Sequence, residues 1–548
     1  MTSRSTNRDL ARALVAALHE AGTTHVFGVP GGGSNLDVVG AAVEAGMQFV
    51  LTHTETAAAI MAGVAGELTG APGTCLATRG PGAASAVNGA AQALLDRQPM
   101  VVVTDCVAHG DAARVSHQRL DQHDLMRSVT KESVQLSDPS CAAGVVALAT
   151  SGRPGPVHVD IDASHPGGHA DEGGDRAGEV TSGEGAPWQQ LLAGSRRLVL
   201  VVGVGAVARP PTARQRVASL LADIGQRCSV PVLCTYKARG MVADSAPWCA
   251  GVATGATIES PLLDEADLII GVGLDPVELI PSPWTYEAPV VLLGSWAIDD
   301  STWFSTRLAA EVVGDLSALL ATTITVLRSE WPAGTAALHH RRARAEILAA
   351  RPAMPSAIVP QDIVTIAREV APHDTIATVD AGAHMLVTMP LWSVEHPCRL
   401  LISSGLATMG FALPAAIAAA EVHSGTTVLC FTGDGGLGMA LAELETLARR
   451  WLQVIVVVFD DASLSLIAAK QAPHGHGGEH AVNYLRTDFA AAAGALGVPG
   501  FRVDDSESFR AALLDALEQG GPALIDAVID PSAYAAVLDA TRGPRQPS

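Results

Sequence analysis

No stretch of the chain is apolar over the roughly 20 residues that a bilayer-spanning helix requires. The longest runs, Leu198 to Ala208 and Gly410 to Ala420, fall well short, so no membrane segment is predicted. Positive charge is scarce: 35 lysines and arginines stand against 56 aspartates and glutamates, a net charge of −21. Such an excess repels phosphate backbones and anionic lipid, which argues against nucleic acid and membrane surfaces as partners. The eight cysteines form no C-x-x-C pair and lie mostly in apolar runs. A free thiol there acts as a small hydrophobe, and neither disulfides nor a structural zinc are expected. The first 22 residues carry Asp9, His19 and Glu20 in an amphipathic pattern and lack the apolar core of a secretory signal, so the expected location is cytoplasmic.

What the chain has is length and apolar bulk. At about 150 residues per domain it divides into about three or four domains, and 48% apolar against 17% charged residues predicts compact structure. Apolar runs of strand length, Val101 to Thr104, Val157 to Ile161, Leu198 to Val202, Leu268 to Val272, Val428 to Phe431 and Val454 to Phe459, alternate with alanine-rich helical stretches. That is the pattern of α/β domains with doubly wound parallel sheets. A glycine-rich segment from Ser164 to Pro187 and a basic helix-like stretch from Leu338 to Ala353 read as linkers. They mark off an N-terminal domain (1–165), a central Rossmann-like domain (187–335) and a C-terminal domain (355–535), with the last dozen residues a loose tail.

The most specific local signal is Thr432-Gly433-Asp434-Gly435-Gly436, between a strand and a helical run. Glycines let the backbone approach an anion, a helix start offers unpaired amides, and the aspartate can hold a hard cation. The strand Val454 to Phe459 ends in Asp460-Asp461-Ala462-Ser463, which puts a second oxygen ligand 27 positions after Asp434. Parallel strands deliver both to one carboxyl edge, although two ordinary strand-end turns would read the same way. In the N-terminal domain, Gln48 to Leu51 leads into His53-Thr54-Glu55-Thr56-Ala57-Ala58-Ala59, a helix start with one carboxylate among small neighbours. Alone, Glu55 reads as a glutamate set against the helix dipole.

Together these segments resemble the thiamine diphosphate-dependent enzymes, whose G-D-G and later asparagine pair hold magnesium and the cofactor's diphosphate. The resemblance implies Asp434, Asp461 and the Ser463 carbonyl as metal ligands, with Gly433, Gly435, Gly436 and Leu464 beside the cofactor. It implies Glu55 as the catalytic carboxyl that hydrogen-bonds N1′ of the aminopyrimidine. Aspartate replaces asparagine at both positions of the pair, which adds negative charge. Phe27-Gly28-Val29-Pro30-Gly31-Gly32 is similar to the family's first strand-to-turn segment, and Thr78-Arg79-Gly80-Pro81-Gly82 to its T-x-G-P-G loop. Gly152 to Val157 matches the close of the pyrimidine-binding domain, and Asp380-Ala381-Gly382-Ala383-His384 the diphosphate loop, with Gly382 and His384 at the cofactor. Gly405 to Pro414 resembles the segment supporting the bent cofactor, with Ala407 and the apolar wedge Met409. The implied domains are pyrimidine-binding, Rossmann-like and diphosphate-binding; the implied cofactors are thiamine diphosphate and Mg2+.

The layout is most similar to acetolactate synthase large subunits, with benzoylformate decarboxylases as neighbours. His117-Gln118-Arg119-Leu120-Asp121 resembles the synthase F-Q-E segment and keeps Gln118 as a catalytic-site amide, while Lys470 stands where synthases place a tryptophan. Arg79 can grip a carboxylate, sulfonate or phosphonate through two hydrogen bonds; a surface arginine paired with an acid is the alternative. Gly32, Thr78, Arg79 and Lys470 make up the candidate substrate set. The resemblance implies decarboxylation of a small 2-oxo acid, with carboligation to a second carbonyl, in a homodimer or homotetramer whose sites lie between subunits. A non-ligating decarboxylase of the benzoylformate or sulfopyruvate type and a noncatalytic binding paralogue are alternatives. An alternative of another class starts from Gly203-Val204-Gly205-Ala206-Val207-Ala208, which fits a dinucleotide loop and a nicotinamide or flavin oxidoreductase. FAD is not favoured, because Gly251 to Gly255 and Gly273 to Pro276 differ from the FAD segments of synthases. His474 to His480 reads as an active-site lid and His339-His340-Arg341-Arg342 as a solvated helix face.

Overall fold

The structure, a computed structural model, describes residues 6–111, 114–164, 187–279, 284–299, 301–471 and 478–543. The N-terminal sheet comprises β1 (His25–Val29), β2 (Gln48–Leu51), β3 (Gly73–Ala77), β4 (Met100–Asp105), β5 (Glu132–Leu136) and β6 (Pro156–Ile161), in the order β2-β1-β3-β4-β6-β5. The middle sheet contains β7 (Leu198–Val202), β8 (Val232–Cys234), β9 (Cys249–Val252), β10 (Leu268–Val272), β11 (Val290–Gly294) and β12 (Leu308–Val313), in the order β12-β11-β10-β7-β8-β9. The C-terminal sheet contains β13 (Ile376–Val379), β14 (Leu400–Ile402), β15 (Val428–Gly433), β16 (Val454–Asp460), β17 (Gly500–Val503) and β18 (Ala523–Val528), in the order β14-β13-β15-β16-β18-β17.

Every neighbouring pair is parallel. Helices therefore cover both faces, and central strands such as β4 and β16 are buried at every residue. The outer two sheets share one strand order, and the middle one has the dinucleotide-fold order. One compact unit holds the N-terminal sheet and another holds the other two. Among the described residues no helix is long and apolar enough to cross a membrane.

In the first unit, the helix Glu55–Thr69 is capped by Thr54, whose hydroxyl accepts the Ala57 amide at 3.1 Å. Its close packing on the helix Pro81–Leu95 needs a missing side chain, since a Cβ on Gly89 would lie 2.4 Å from that of Ala59. In the second unit, Arg239 joins the loop after β8 to the end of the helix Ala383–Leu391. Its guanidinium donates to the Met389 and Trp392 carbonyls at 3.1 and 2.9 Å and pairs with Asp244. A cation at a helix C-terminus also meets the negative end of the dipole.

Two expectations need correction. The basic stretch from Leu338 lies in a helix, Thr335–Ala349, whose stripe of Ala336, His340, Ala343 and Ile347 packs inward, with Ile347 in the C-terminal core. His339 meets the Ala250 carbonyl at 2.9 Å, and burial lowers the His340 pKa to about 4. The pair is therefore no solvated face. The tail begins as a helix, Ala533–Arg542, with Val537 and Thr541 buried. Residues 165–186 and His474 and His476 lie outside the described residues.

Arg239→Met would leave Asp244 buried without its cation and is expected to destabilise the second unit by about 3–5 kcal/mol, seen as a lower urea midpoint with sheets two and three losing structure together.

Candidate active site

In a doubly wound sheet, ligands bind where the strand order reverses, at the carboxyl ends. For the C-terminal sheet that point lies between β13 and β15, and a buried aspartate organises it. Asp380 accepts from the Ala381, Gly410 and Phe411 amides at 2.9, 3.1 and 3.3 Å and from the Thr432 hydroxyl at 3.1 Å. Burial pushes its pKa up to about 6 while these donors oppose the rise. A Cβ on Gly436 would come within 2.5 Å of its carboxylate, so glycine is required there.

The loops tied by Asp380 border a cavity of about 480 Å³, within the range of cofactor sites. Gly382, His384, Ala407, Met409, Gly433, Asp434, Gly435 and Gly436 line it from β13, β15 and the segment between them, and Asp461, Ser463, Leu464 and Lys470 from the end of β16. The Ser463 amide donates to both acids, to Asp434 at 3.2 Å and to Asp461 at 3.1 Å. Burial and the neighbouring Asp461 charge raise the Asp434 pKa to about 7; burial raises that of Asp461. Two close carboxylates in a half-dry site repel each other until a cation intervenes. His384 stacks on Phe459 at 5.3 Å, and burial lowers its pKa to about 4. Its Nε2 is buried and lacks a hydrogen-bond partner among the described residues. Gly435 borders a cradle in which a Cβ would meet Leu464 at 3.1 Å and Met409 at 3.3 Å.

Among the lining residues that the sequence reading missed are Tyr236 and Glu278, from loops of the middle sheet, and Tyr534 and Arg542 from the last helix. Arg542 stands beside the Tyr236 phenol and opposes the rise in pKa that burial imposes on it. No local pattern announced them, because tertiary packing alone brings these segments to the cavity.

Glu55, Gln118, Gly32, Thr78 and Arg79 belong to the other unit. There the order reverses between β1 and β3, and the Thr78–Gly82 loop follows β3. Glu55 is half-buried at its helix start, and a Cβ on Gly82 would lie 3.0 Å from its carboxylate. Arg79 is half-buried and makes no ion pair among the described residues. Gly32 and Gln118 are exposed, the latter in left-handed backbone at φ 55°. The loop is held by another glutamine, Gln122, buried, which accepts the Gly80 amide at 2.7 Å.

The Gly203 loop carries an anion of its own. Glu278 accepts the Val204 amide at 2.6 Å and the Thr235 hydroxyl at 2.6 Å. A carboxylate thus takes an amide of the kind that a dinucleotide phosphate would use.

Residues 8–125 match the thiamine pyrophosphate enzyme N-terminal TPP binding domain, and residues 380–527 the C-terminal TPP binding domain. The chain belongs to the thiamine pyrophosphate enzyme family. It is 30% identical over 560 aligned positions to the acetolactate synthase isozyme 2 large subunit of Escherichia coli (strain K12), covering 95% of each chain. It is 27% identical to the acetolactate synthase of Bacillus subtilis (strain 168), with 95% and 93% covered. The large subunit from Parasynechococcus marenigrum (strain WH8102) is 29% identical, with 94% and 86% covered. Thiamine diphosphate is the family's cofactor and Mg2+ its usual metal. The mutually repelling acids and the unpartnered His384 nitrogen fit a cation and an anion respectively.

Asp434→Ala is expected to weaken Mg2+ binding about tenfold or more, measured calorimetrically with thiamine diphosphate present. Asp461→Asn keeps an oxygen and removes one like charge, so it should retain Mg2+ binding and raise the melting temperature of the metal-free protein.

Proposed function

We propose that the protein decarboxylates a small 2-oxo acid with thiamine diphosphate and Mg2+, and joins the acyl unit that remains to a second carbonyl compound. The observation that carries this is the cavity at the β13/β15 reversal, where two repelling carboxylates and an unpartnered imidazole face one space. When bound, the cofactor supplies a nucleophilic ring carbon and an electron sink for the pair released with carbon dioxide. Asp434, Asp461 and the Ser463 carbonyl hold the metal; His384 and the Gly382 and Gly435 segments meet the diphosphate. Ala407 and Met409 support the ring system, and the apolar wall excludes water. Glu55 carries the proton exchanged with N1′ of the aminopyrimidine, with the Gln118 amide nearby. Gly32, Thr78 and Arg79 receive the substrate, whose carboxylate Arg79 grips, and Lys470 faces the acceptor.

Lys470 favours a second reading. A cation on the cavity wall suits a substrate with a second anionic group, and such an enzyme could release its aldehyde without ligation. Products formed from pyruvate, benzoylformate and sulfopyruvate separate the two: a hydroxy-keto acid supports ligation, and free aldehyde alone supports simple decarboxylation. The Glu278 contact weighs against the oxidoreductase alternative and against FAD in the middle domain.

Glu55→Gln is expected to slow cofactor-dependent carbon dioxide release by about 100-fold or more while thiamine diphosphate still binds. We also propose a homodimer or homotetramer in which Glu55 of one subunit serves the Asp434 cavity of another. Half the dimers in an equal mixture of Glu55→Gln and Asp434→Ala are hybrids with one intact site of two, so co-refolding should restore about a quarter of wild-type activity. Arg79→Ala should raise KM for the best substrate about tenfold or more with little change in kcat; an unchanged KM would remove Arg79 from the substrate set.

A further inference from the structure

The strand β16 ends in a carboxylate that does not line the cavity. Asp460 is fully buried behind its neighbour Asp461, which does. Asp460 Oδ1 accepts the Ala462 amide at 3.2 Å, and Ala462 stands in left-handed backbone at φ 58°. A residue with a side chain takes up that conformation only where its surroundings hold it there. Asp460 Oδ2 receives no hydrogen bond among the described residues. It faces two guanidiniums instead, with Arg486 Nη1 at 2.9 Å and Arg502 Nη2 at 3.9 Å. Arg502, on β17, is divided among acids: it bonds Asp526 on β18 at 3.2 Å and lies 3.7 Å from Asp488. Arg486 serves one residue twice, because the same Nη1 also donates to the Asp460 carbonyl at 3.0 Å.

Arg486 ends a short segment laid along the loop that carries Asp461 and Ser463. The Leu464 amide donates to the Val482 carbonyl at 2.8 Å, and the Tyr484 amide to the Ala462 carbonyl at 2.8 Å. Between them the Ser463 hydroxyl meets Asn483 Oδ1 at 3.0 Å, in an antiparallel bridge of Ser463 with Asn483. Residues 482–486 thus form a strap beside 460–464, with Val482 buried at one end and Arg486 bonded at the other. The strap also brings the Tyr484 ring to 3.5 Å from where a Cβ on Gly435 would stand, so its position shapes the cradle at that glycine.

Three carboxylates meet at this edge. The Ser463 amide reaches both Asp434 and Asp461, and Asp460 is one residue away. A divalent cation held by Asp434 and Asp461 offsets two of the three charges. The third, on Asp460, is buried, where a charge without a partner is costly, and it would repel an anionic cofactor as well. We infer that Arg486 is a positioning residue of the cation site: it neutralises Asp460 and clamps the 482–486 strap onto the 460–464 loop, so that Asp461 and the Ser463 carbonyl are held in place for a divalent cation. The cation role rests on the function proposed for Asp434 and Asp461; the clamp does not.

An ion pair that serves only the fold would join elements of the sheet, as Arg502 does for β16, β17 and β18. Arg486 lies on no strand. Its side chain is 39% exposed while that of Asp460 is 1% exposed. A half-exposed arginine adds little to global stability, whereas the buried carboxylate beneath it depends on the charge. Loss of Arg486 should therefore act on the loop before it acts on the fold.

The test is a double-mutant cycle of Arg486→Met and Asp460→Asn in the full chain, read by calorimetric titration of Mg2+ at saturating thiamine diphosphate. Arg486→Met should weaken Mg2+ binding about tenfold or more, as loss of a partner behind a metal ligand does. Asp460→Asn keeps an oxygen for the Ala462 amide and removes the charge, so it should bind Mg2+ at least as well as wild type. In that background Arg486→Met should cost no more than about threefold. Equal losses in both backgrounds would overturn the neutralising role, and an unchanged affinity in Arg486→Met would overturn the cation role altogether. The clamp is read with no ligand present: hydrogen exchange at the Leu464 and Tyr484 amides of the cofactor-free protein should be about tenfold faster in Arg486→Met, and unchanged protection overturns it. If the wild type takes up no Mg2+, the cation reading of the cavity fails and the neutralising role with it, while the exchange comparison still judges the strap. If Arg486→Met does not fold but the double variant does, the neutralising role is supported; if neither folds, Arg486 is a structural residue and the inference is overturned.

Discussion

The cofactor end of the molecule depends on one buried carboxylate, that of Asp380. Asp380 gathers three backbone amides and a hydroxyl from the loops after β13, before the helix Ala412–Val422, and on β15. Each loop delivers something different to the cavity: Gly382 and His384, then Ala407 and Met409, then Asp434. Four donors converging on two oxygens favour the ionised form and fix the spacing of these loops before any cofactor arrives. The absence of a side chain on Gly436 belongs to the same constraint, because a methyl there would strike the carboxylate.

The outer two sheets reuse one topology for opposite electrostatic ends. At the reversal between β13 and β15 the chain accumulates acids and waits for a cation. At the equivalent reversal between β1 and β3 it surrounds a single glutamate with alanine and glycine, and the loop beside it is fixed by Gln122. The shared strand order is what descent from one duplicated sheet would leave behind.

Much of this was legible in the sequence because the signals are local. Continuous apolar runs such as Val454 to Phe459 can hardly be anything but central parallel strands, and the glycines around Asp434 announce a turn at a strand end. The strands, the α/β class and the Asp434 and Asp461 strand ends followed from such signals, whereas Gly382, His384, Ala407, Met409 and Lys470 were implied by the family resemblance. Residues whose meaning depends on distant partners did not. The inward stripe of the Thr335–Ala349 helix is interrupted by histidine and hidden among arginines, so composition suggested a solvated face. Tyr534 and Arg542 sit on a helix that looked like the start of a tail. Gln118 drew attention through its motif, yet Gln122, four residues on, carries the buried contacts, and nothing in the spacing distinguishes the two.

Glu278 leaves one more consequence. A free phosphate must compete for an amide at whatever concentration the cell provides, whereas a carboxylate on the same chain is present at an effective concentration set by its tether. A dinucleotide domain that depends on its ligand gains stability from binding and weakens when the nucleotide is depleted. In this domain the Val204 amide of the Gly203 loop is already taken by the Glu278 carboxylate of the same chain, a partner whose supply does not vary.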